Sequence, residues 1–198
     1  LTGRNLTFKI FPLNFSEYLD FLKINYKYPN TIKKNKILHE LDQFLEVGGF
    51  PEVFFKEKDL KRILLKEYFD DILYKDVISR YNINARKITE LAVYLFSNIS
   101  NLFTIRRIRN FTGLSIDSIR DYISYLEDAF LIETISYFSY SITESIQMPR
   151  KGYAPDCGLR NIAGFKFSAD RGRLAENIVF IELRRQEKDV YYWKKKNE

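Results

Sequence analysis

The chain has 198 residues, a net charge of +6 and 45% hydrophobic content, which excludes a disordered, collagen-like or acidic solvating polymer and suffices for one ordinary domain or two small ones. No apolar run reaches the roughly 18 to 20 residues of a membrane span, and Leu1-Thr2-Gly3-Arg4 opens no secretory pattern. The expectation is therefore a fragment of a longer cytoplasmic protein without membrane contact; one Cys and one His leave neither a disulfide framework nor enough soft ligands for a zinc site.

In chain order, Leu6 to Leu13 alternates loosely, as a short strand does. Asn14-Phe15-Ser16-Glu17 then has the spacing of a capping box and predicts a short helix through Leu22. Lys23 to Asn30 is a polar connection, after which Ile37, Leu38, Leu41, Phe44 and Leu45 recur at helical spacing until Gly48-Gly49 and Pro51 stop the helix. A third helix reads from Asp59 to near Asn82, with Leu60, Ile63, Leu64, Tyr68, Ile72, Leu73 and Val77 on one face.

Three closely spaced helices follow. The first carries Leu91, Ala92, Leu95 and Phe96. Thr104 caps the second, which turns Ile105, Ile108 and Phe111 inward before Thr112-Gly113 ends it, and Ser115 caps the third, with Ile119, Tyr122, Ile123 and Leu126 inward. Two helices joined by a tight Gly-containing turn form a helix-turn-helix. Leu131 to Phe138, rich in β-branched and aromatic residues, reads as a strand, and helices followed by such a strand predict a winged helix-turn-helix. Beyond Pro149 come loops marked by Pro155 and Gly158, a helix from Leu174 to Arg185 and a strand at Val190-Tyr191-Tyr192-Trp193. A lone helix and strand cannot close a core, so this end is expected to be truncated or to depend on packing against what precedes it.

Candidate chemistry is sparse. Lys and Arg exceed Asp and Glu by two in residues 1–85, fall one short in 86–146 and lead by five in 147–198, so attraction to phosphate is expected to be strongest in the last quarter. The helix-turn-helix would set Ser115, Ile116, Asp117, Ser118, Arg120 and Asp121 toward a DNA major groove, while Arg106, Arg107 and Arg109 on the preceding helix are placed to grip the backbone. The two aspartates repel phosphate, so a packing or lid role for the same module stands beside DNA contact. No G-x-x-x-x-G-K-[ST] loop exists, and Gly48-Gly49-Phe50-Pro51 reads as a structural turn because Pro lacks the amide a phosphate cradle needs. Asp70, Asp71 and Asp76 lie among Lys66, Lys75 and Arg80 as on a solvated face. His39 reads as a boundary residue and Cys157 as a small buried apolar group. Glu176 and Glu182 are acidic residues of the last helix, without the further ligands a metal-dependent nuclease needs.

The ordered set Leu1-Thr2-Gly3-Arg4, Phe11-Pro12-Leu13-Asn14-Phe15-Ser16-Glu17-Tyr18, Gly48-Gly49-Phe50-Pro51-Glu52, Tyr74-Lys75-Asp76-Val77, Tyr122-Ile123-Ser124-Tyr125-Leu126-Glu127 and Glu176-Asn177-Ile178-Val179-Phe180 resembles a prokaryotic, notably archaeal, family of AAA+-like ATPases along essentially the whole chain. The resemblance implies a parent with a Walker ATPase core first, then a helical lid and winged helix, then a region of restriction-endonuclease-like fold. It implies that Arg4 senses or completes a nucleotide site, that Glu176 is a nuclease remnant, and that ATP and Mg²⁺ serve the full-length parent, with no cofactor in this fragment.

The expectation is thus a mainly α chain with a small β component. A helical lid or linker spans 1–85, a winged helix-turn-helix 86–148, and the truncated start of an α/β endonuclease-like region 149–198. Its expected role is DNA association without ATPase activity of its own, with Arg106, Arg107, Arg109, Ser118 and Arg120 as DNA-binding candidates and no catalytic or metal residue. The alternative is a lid module that couples the parent ATPase core to a partner protein.

Overall fold

The computed structural model describes residues 8–27, 30–165 and 170–194. It is mainly helical, with one small antiparallel sheet. Phe8 to Asn14 form an irregular strap rather than the expected strand, tied down where the Leu13 N–H donates to the Gly49 carbonyl at 2.9 Å. The capping box then forms as its spacing demands: the Glu17 N–H donates to Asn14 Oδ1 at 2.9 Å and the Asn14 N–H to Glu17 Oε2 at 2.7 Å, starting α1 (Phe15–Phe21). Asn30 caps α2 (Thr31–Val47) through the Lys33 N–H, and Gly48, at φ +84°, turns the chain into the short α3 (Pro51–Phe54).

The long third helix begins as α4 (Lys58–Asp71) and widens into a π-helical stretch over Ile72–Ile78, where the Ser79 N–H and hydroxyl both reach the Tyr74 carbonyl. It ends in α5 (Ser79–Tyr81). The widened turn keeps Leu73 and Val77 fully buried while Tyr74, Lys75 and Asp76 face out. Leu60 and Ile63, expected inward, are exposed. The apolar face of α4 is narrower than its sequence suggests.

Next come α6 (Ala85–Ser97), β1 (Leu102–Phe103), α7 (Ile105–Thr112), α8 (Ile116–Asp128) and β2 (Glu133–Ile135). The strand expected through Phe138 stops at Ile135 as an antiparallel partner. Beyond it come α9 (Ile142–Gln147) and β3 (Arg150–Tyr153), which pairs with both earlier strands to give the order β1-β3-β2. Gly158, expected in a loop, lies inside α10 (Cys157–Ala163), where a Cβ would strike the Val47 carbonyl; its lack of a side chain lets α10 approach α2. The last helix, α11 (Asp170–Arg185), starts four residues earlier than expected. Among the described residues the strand expected at Val190–Trp193 reduces to one parallel bridge, Tyr192 against Tyr137, held by the Phe138 N–H to the Tyr192 carbonyl and the Tyr192 N–H to the Ser136 carbonyl.

One apolar cluster runs from Leu45 through Phe69, Phe96 and Ile123 to Leu174, so the segments on either side of residues 85 and 149 share a core. The last segment packs against what precedes it: Phe180 stacks on Tyr153 at 3.9 Å, joining Ile135 in a smaller cluster. Among the described residues no helix is long and apolar enough to cross a membrane.

Candidate nucleic-acid interface

Local chemistry sets the orientation of α7. Thr104 caps its start by accepting from the Arg107 N–H at 3.2 Å, and Gly113, at φ +69°, closes its end. Lys87 of α6 donates to the Thr112 carbonyl at 2.6 Å, holding a carbonyl that the helix leaves unpaired. Ile108 and Thr112 are buried. At 100° per residue the opposite sector runs Arg109, Arg106, Asn110, Arg107, Phe111, and all five are exposed. Among the described residues no carboxylate lies within ion-pairing distance of the three arginines. Phe111, expected inward, is 58% exposed; Ile108 and Thr112 already fill the buried stripe.

The outward face of α8 has the opposite character. Ser115 caps the helix by accepting from the Ser118 N–H at 3.0 Å, and the two hydroxyls lie 2.8 Å apart, so Ser118 is engaged in the cap. Arg120 faces Asp117 at 3.7 Å in an exposed pair. Asp121 and Asp128 are exposed as well, leaving the helix net acidic toward solvent. The stretch between β2 and β3, residues 136–149, contains no Lys or Arg. Of the five DNA-binding candidates, the structure therefore groups Arg106, Arg107 and Arg109 on one free face and gives Ser118 and Arg120 partners of their own.

Several of the last quarter's described cations sit in ion pairs, three of them with acids of earlier segments. Lys151 pairs with Glu176 at 2.8 Å, Arg171 with Asp42 at 2.6 Å, Arg184 with Glu133 at 2.5 Å, and Arg185 with Glu17 at 3.4 Å. These pairs reduce the free positive charge that the described part of this segment offers to phosphate. Glu176 also accepts from the Tyr153 hydroxyl at 2.7 Å; burial and this bond hold the Tyr153 phenol well above its ordinary range. Arg4 lies outside the described residues. Asp70 and Asp71 pair with Lys66 and Lys75 at 2.7 Å on an exposed face. His39 is exposed, and Cys157 is buried with its thiol pushed up by desolvation. Among the described residues no three His, Cys, Asp or Glu side chains gather where a metal ion could sit.

The residue that sequence reasoning missed is Asp156. It caps α10, and its buried carboxylate accepts from the N–H groups of Leu159 at 3.0 Å and Gly49 at 2.6 Å, joining the turn after α2 to the start of α10. Desolvation raises its pKa to about 6 against the opposing pull of these amides. Its only sequence signal is an N-cap residue before a helical run; its partner amide is 107 positions away.

Residues 38–170 match the protein family described as a domain of unknown function, DUF8612. The chain is 39% identical over 209 residues to an uncharacterized protein of Methanocaldococcus jannaschii, covering 100% of this chain and 46% of that protein. It is 29% identical over 193 residues to an uncharacterized protein of Haemophilus influenzae, covering 94% and 46%. The chain spans about half the length of these curated relatives. No solved structure matches it.

Proposed function

For a chain that belongs to the DUF8612 family, we propose a role in DNA association: a winged helix-turn-helix whose α7 arginines grip the phosphate backbone, carried within a larger cytoplasmic protein with an AAA+-type ATPase core. The observation that carries this reading is the free arginine face of Arg106, Arg107 and Arg109. The order α6-β1-α7-α8-β2-α9-β3 with strands arranged β1-β3-β2 supports the winged-helix assignment, because three helices are followed by an antiparallel β2–β3 pair joined to β1, although α9 lengthens the connection between β2 and β3. Arginine contacts to phosphate position a protein on DNA without reading its sequence. The motif resemblance supports the parent ATPase, the endonuclease-like reading of α11 with Glu176, and a nucleotide-sensing role for Arg4.

ATP and Mg²⁺ belong to the parent in this reading. The glycine turn of this chain does not fit a phosphate, since the Asp156 carboxylate occupies the space beside Gly48, and no step is derived through either group.

One observation favours a second reading, a module that passes the state of the ATPase core to a partner protein. The Asp156 link fastens the α2–α3 turn to α10, which packs on α2, α4 and α6, so the lid helices and the three-helix unit are mechanically joined. Fluorescence anisotropy with a random duplex at two salt concentrations separates the readings. Phosphate gripping predicts salt-sensitive binding that is lost when Arg106, Arg107 and Arg109 are changed to Ala. No binding at low salt would leave the partner-protein reading.

A further inference from the structure

The free face of α7 ends in an aromatic ring that the fold does not bury. Phe111 lies one helical turn beyond Arg107, and its ring sits 5.2 Å from that of Tyr94 on α6, tilted by 41°. Tyr94 is half-buried; burial pushes its phenol up while the charge of Arg107 pulls it back, which places Arg107 within electrostatic reach of the same pair of rings. Arginines with no carboxylate partner among the described residues, a largely exposed phenyl ring and a second ring that braces it thus share the outward side of α7.

The elements suited to an intact duplex point the other way. Asp117, Asp121 and Asp128 line the outward side of α8, and residues 136–149 offer no cation to a flanking groove. A duplex hides its base faces within the stack, whereas an unpaired strand presents them. Basic side chains interleaved with exposed aromatics are the chemistry that holds such a strand.

We propose that the α7 site takes single-stranded nucleic acid, with phosphates on Arg106, Arg107 and Arg109 and one base stacked on Phe111, the ring Tyr94 supports. This rests on the DNA-association reading above and names the class of its ligand. Stacking involves a base face rather than a base edge, so binding tolerates any sequence. Three neutralised phosphates give a slope of log affinity against log salt near −2 for a single strand, using about 0.7 per contact.

The test compares a fluorescein-labelled oligothymidylate with a mixed-sequence duplex of the same length, both titrated with the chain and with Phe111→Ala and Phe111→Tyr. The expected result is tighter binding of the single strand, weakened about fivefold to a hundredfold by Phe111→Ala, unchanged duplex binding, and recovery in Phe111→Tyr. Phe111→Leu, which keeps an apolar contact to Tyr94 without a π face, must reproduce the Ala loss, so a folding defect cannot imitate it. Equal effects on both probes, or full single-strand affinity in Phe111→Ala, overturn the stacking site and leave DNA association standing. Binding to neither probe at low salt overturns both.

Discussion

Gly48 and Asp156 share a space that only one side chain can fill: a Cβ added to Gly48 would overlap the Asp156 carboxylate, which reaches past it to the Gly49 N–H. The contact joins the end of α2 to the start of α10. Gly48→Ala adds both the overlap and the cost of a left-handed residue, and should destabilise the fold by at least about 2 kcal/mol. Asp156→Ala strands buried amides and should cost about 3 kcal/mol. Because the Ala at 156 removes the overlap, the double variant should lose clearly less than the two losses added. Urea unfolding of the three variants checks this; strict additivity would mean that the two residues do not compete for the space.

The same carboxylate predicts an unusual pH response. Its folded pKa of about 6 lies above the ordinary 3.8, so the folded chain holds this proton more tightly than the unfolded one. The contribution is full below about pH 4 and is lost as pH rises through 6, on the order of 3 kcal/mol from the size of the shift. Asp156→Asn removes that dependence. The stability difference between the natural chain and Asp156→Asn, measured by urea unfolding at pH 4 and pH 7, should shift against the natural chain at the higher pH. A constant difference would show that the amides bound to the carboxylate fully offset desolvation.

What was legible in the sequence was local. Asn14, Thr104 and Ser115 announce their helices because a cap and the N–H groups it serves lie within three residues, and Gly113 marks its turn by the conformation it alone adopts easily. Asp156 was illegible because the amide it binds at Gly49 is remote in sequence. Phe111 was misread for another reason: periodicity treats every large apolar residue as inward, but the stripe under α7 is already filled by Ile108 and Thr112. In the same way the arginine face could be read from helical spacing, whereas the ion pairs of Arg171, Arg184 and Arg185 with Asp42, Glu133 and Glu17 depend on tertiary neighbours.

Tyr81, at the end of the long helix, stacks on Tyr125 of α8 with ring centroids 3.8 Å apart and donates its hydroxyl to Asp128 at 2.9 Å. This is a direct link between α5 and α8. A double-mutant cycle with Tyr81→Ala and Tyr125→Ala should give a coupling of about 1 kcal/mol. Tyr81→Phe, which loses only an exposed hydrogen bond, should cost less than about 1 kcal/mol. A coupling near zero in thermal or urea unfolding would mean the stack forms without holding the two elements together.

The charges around the α7 face make opposite predictions for neighbouring residues. Arg106, Arg107 and Arg109 have no carboxylate partner among the described residues, so each change to Ala should weaken DNA binding and lower the salt slope by about one phosphate contact. Arg120 differs, since its charge is already compensated by Asp117 at 3.7 Å, and Arg120→Ala should leave the slope unchanged. Asp117 and Asp121 oppose an approaching phosphate, and replacing both with Asn should tighten binding by about fivefold, the scale of one near-contact charge repulsion in water. Anisotropy titrations over a series of salt concentrations measure all of these on one probe. If Arg120→Ala flattened the slope as strongly as Arg106→Ala, or the Asn pair weakened binding, then the phosphate path would run over α8 rather than α7.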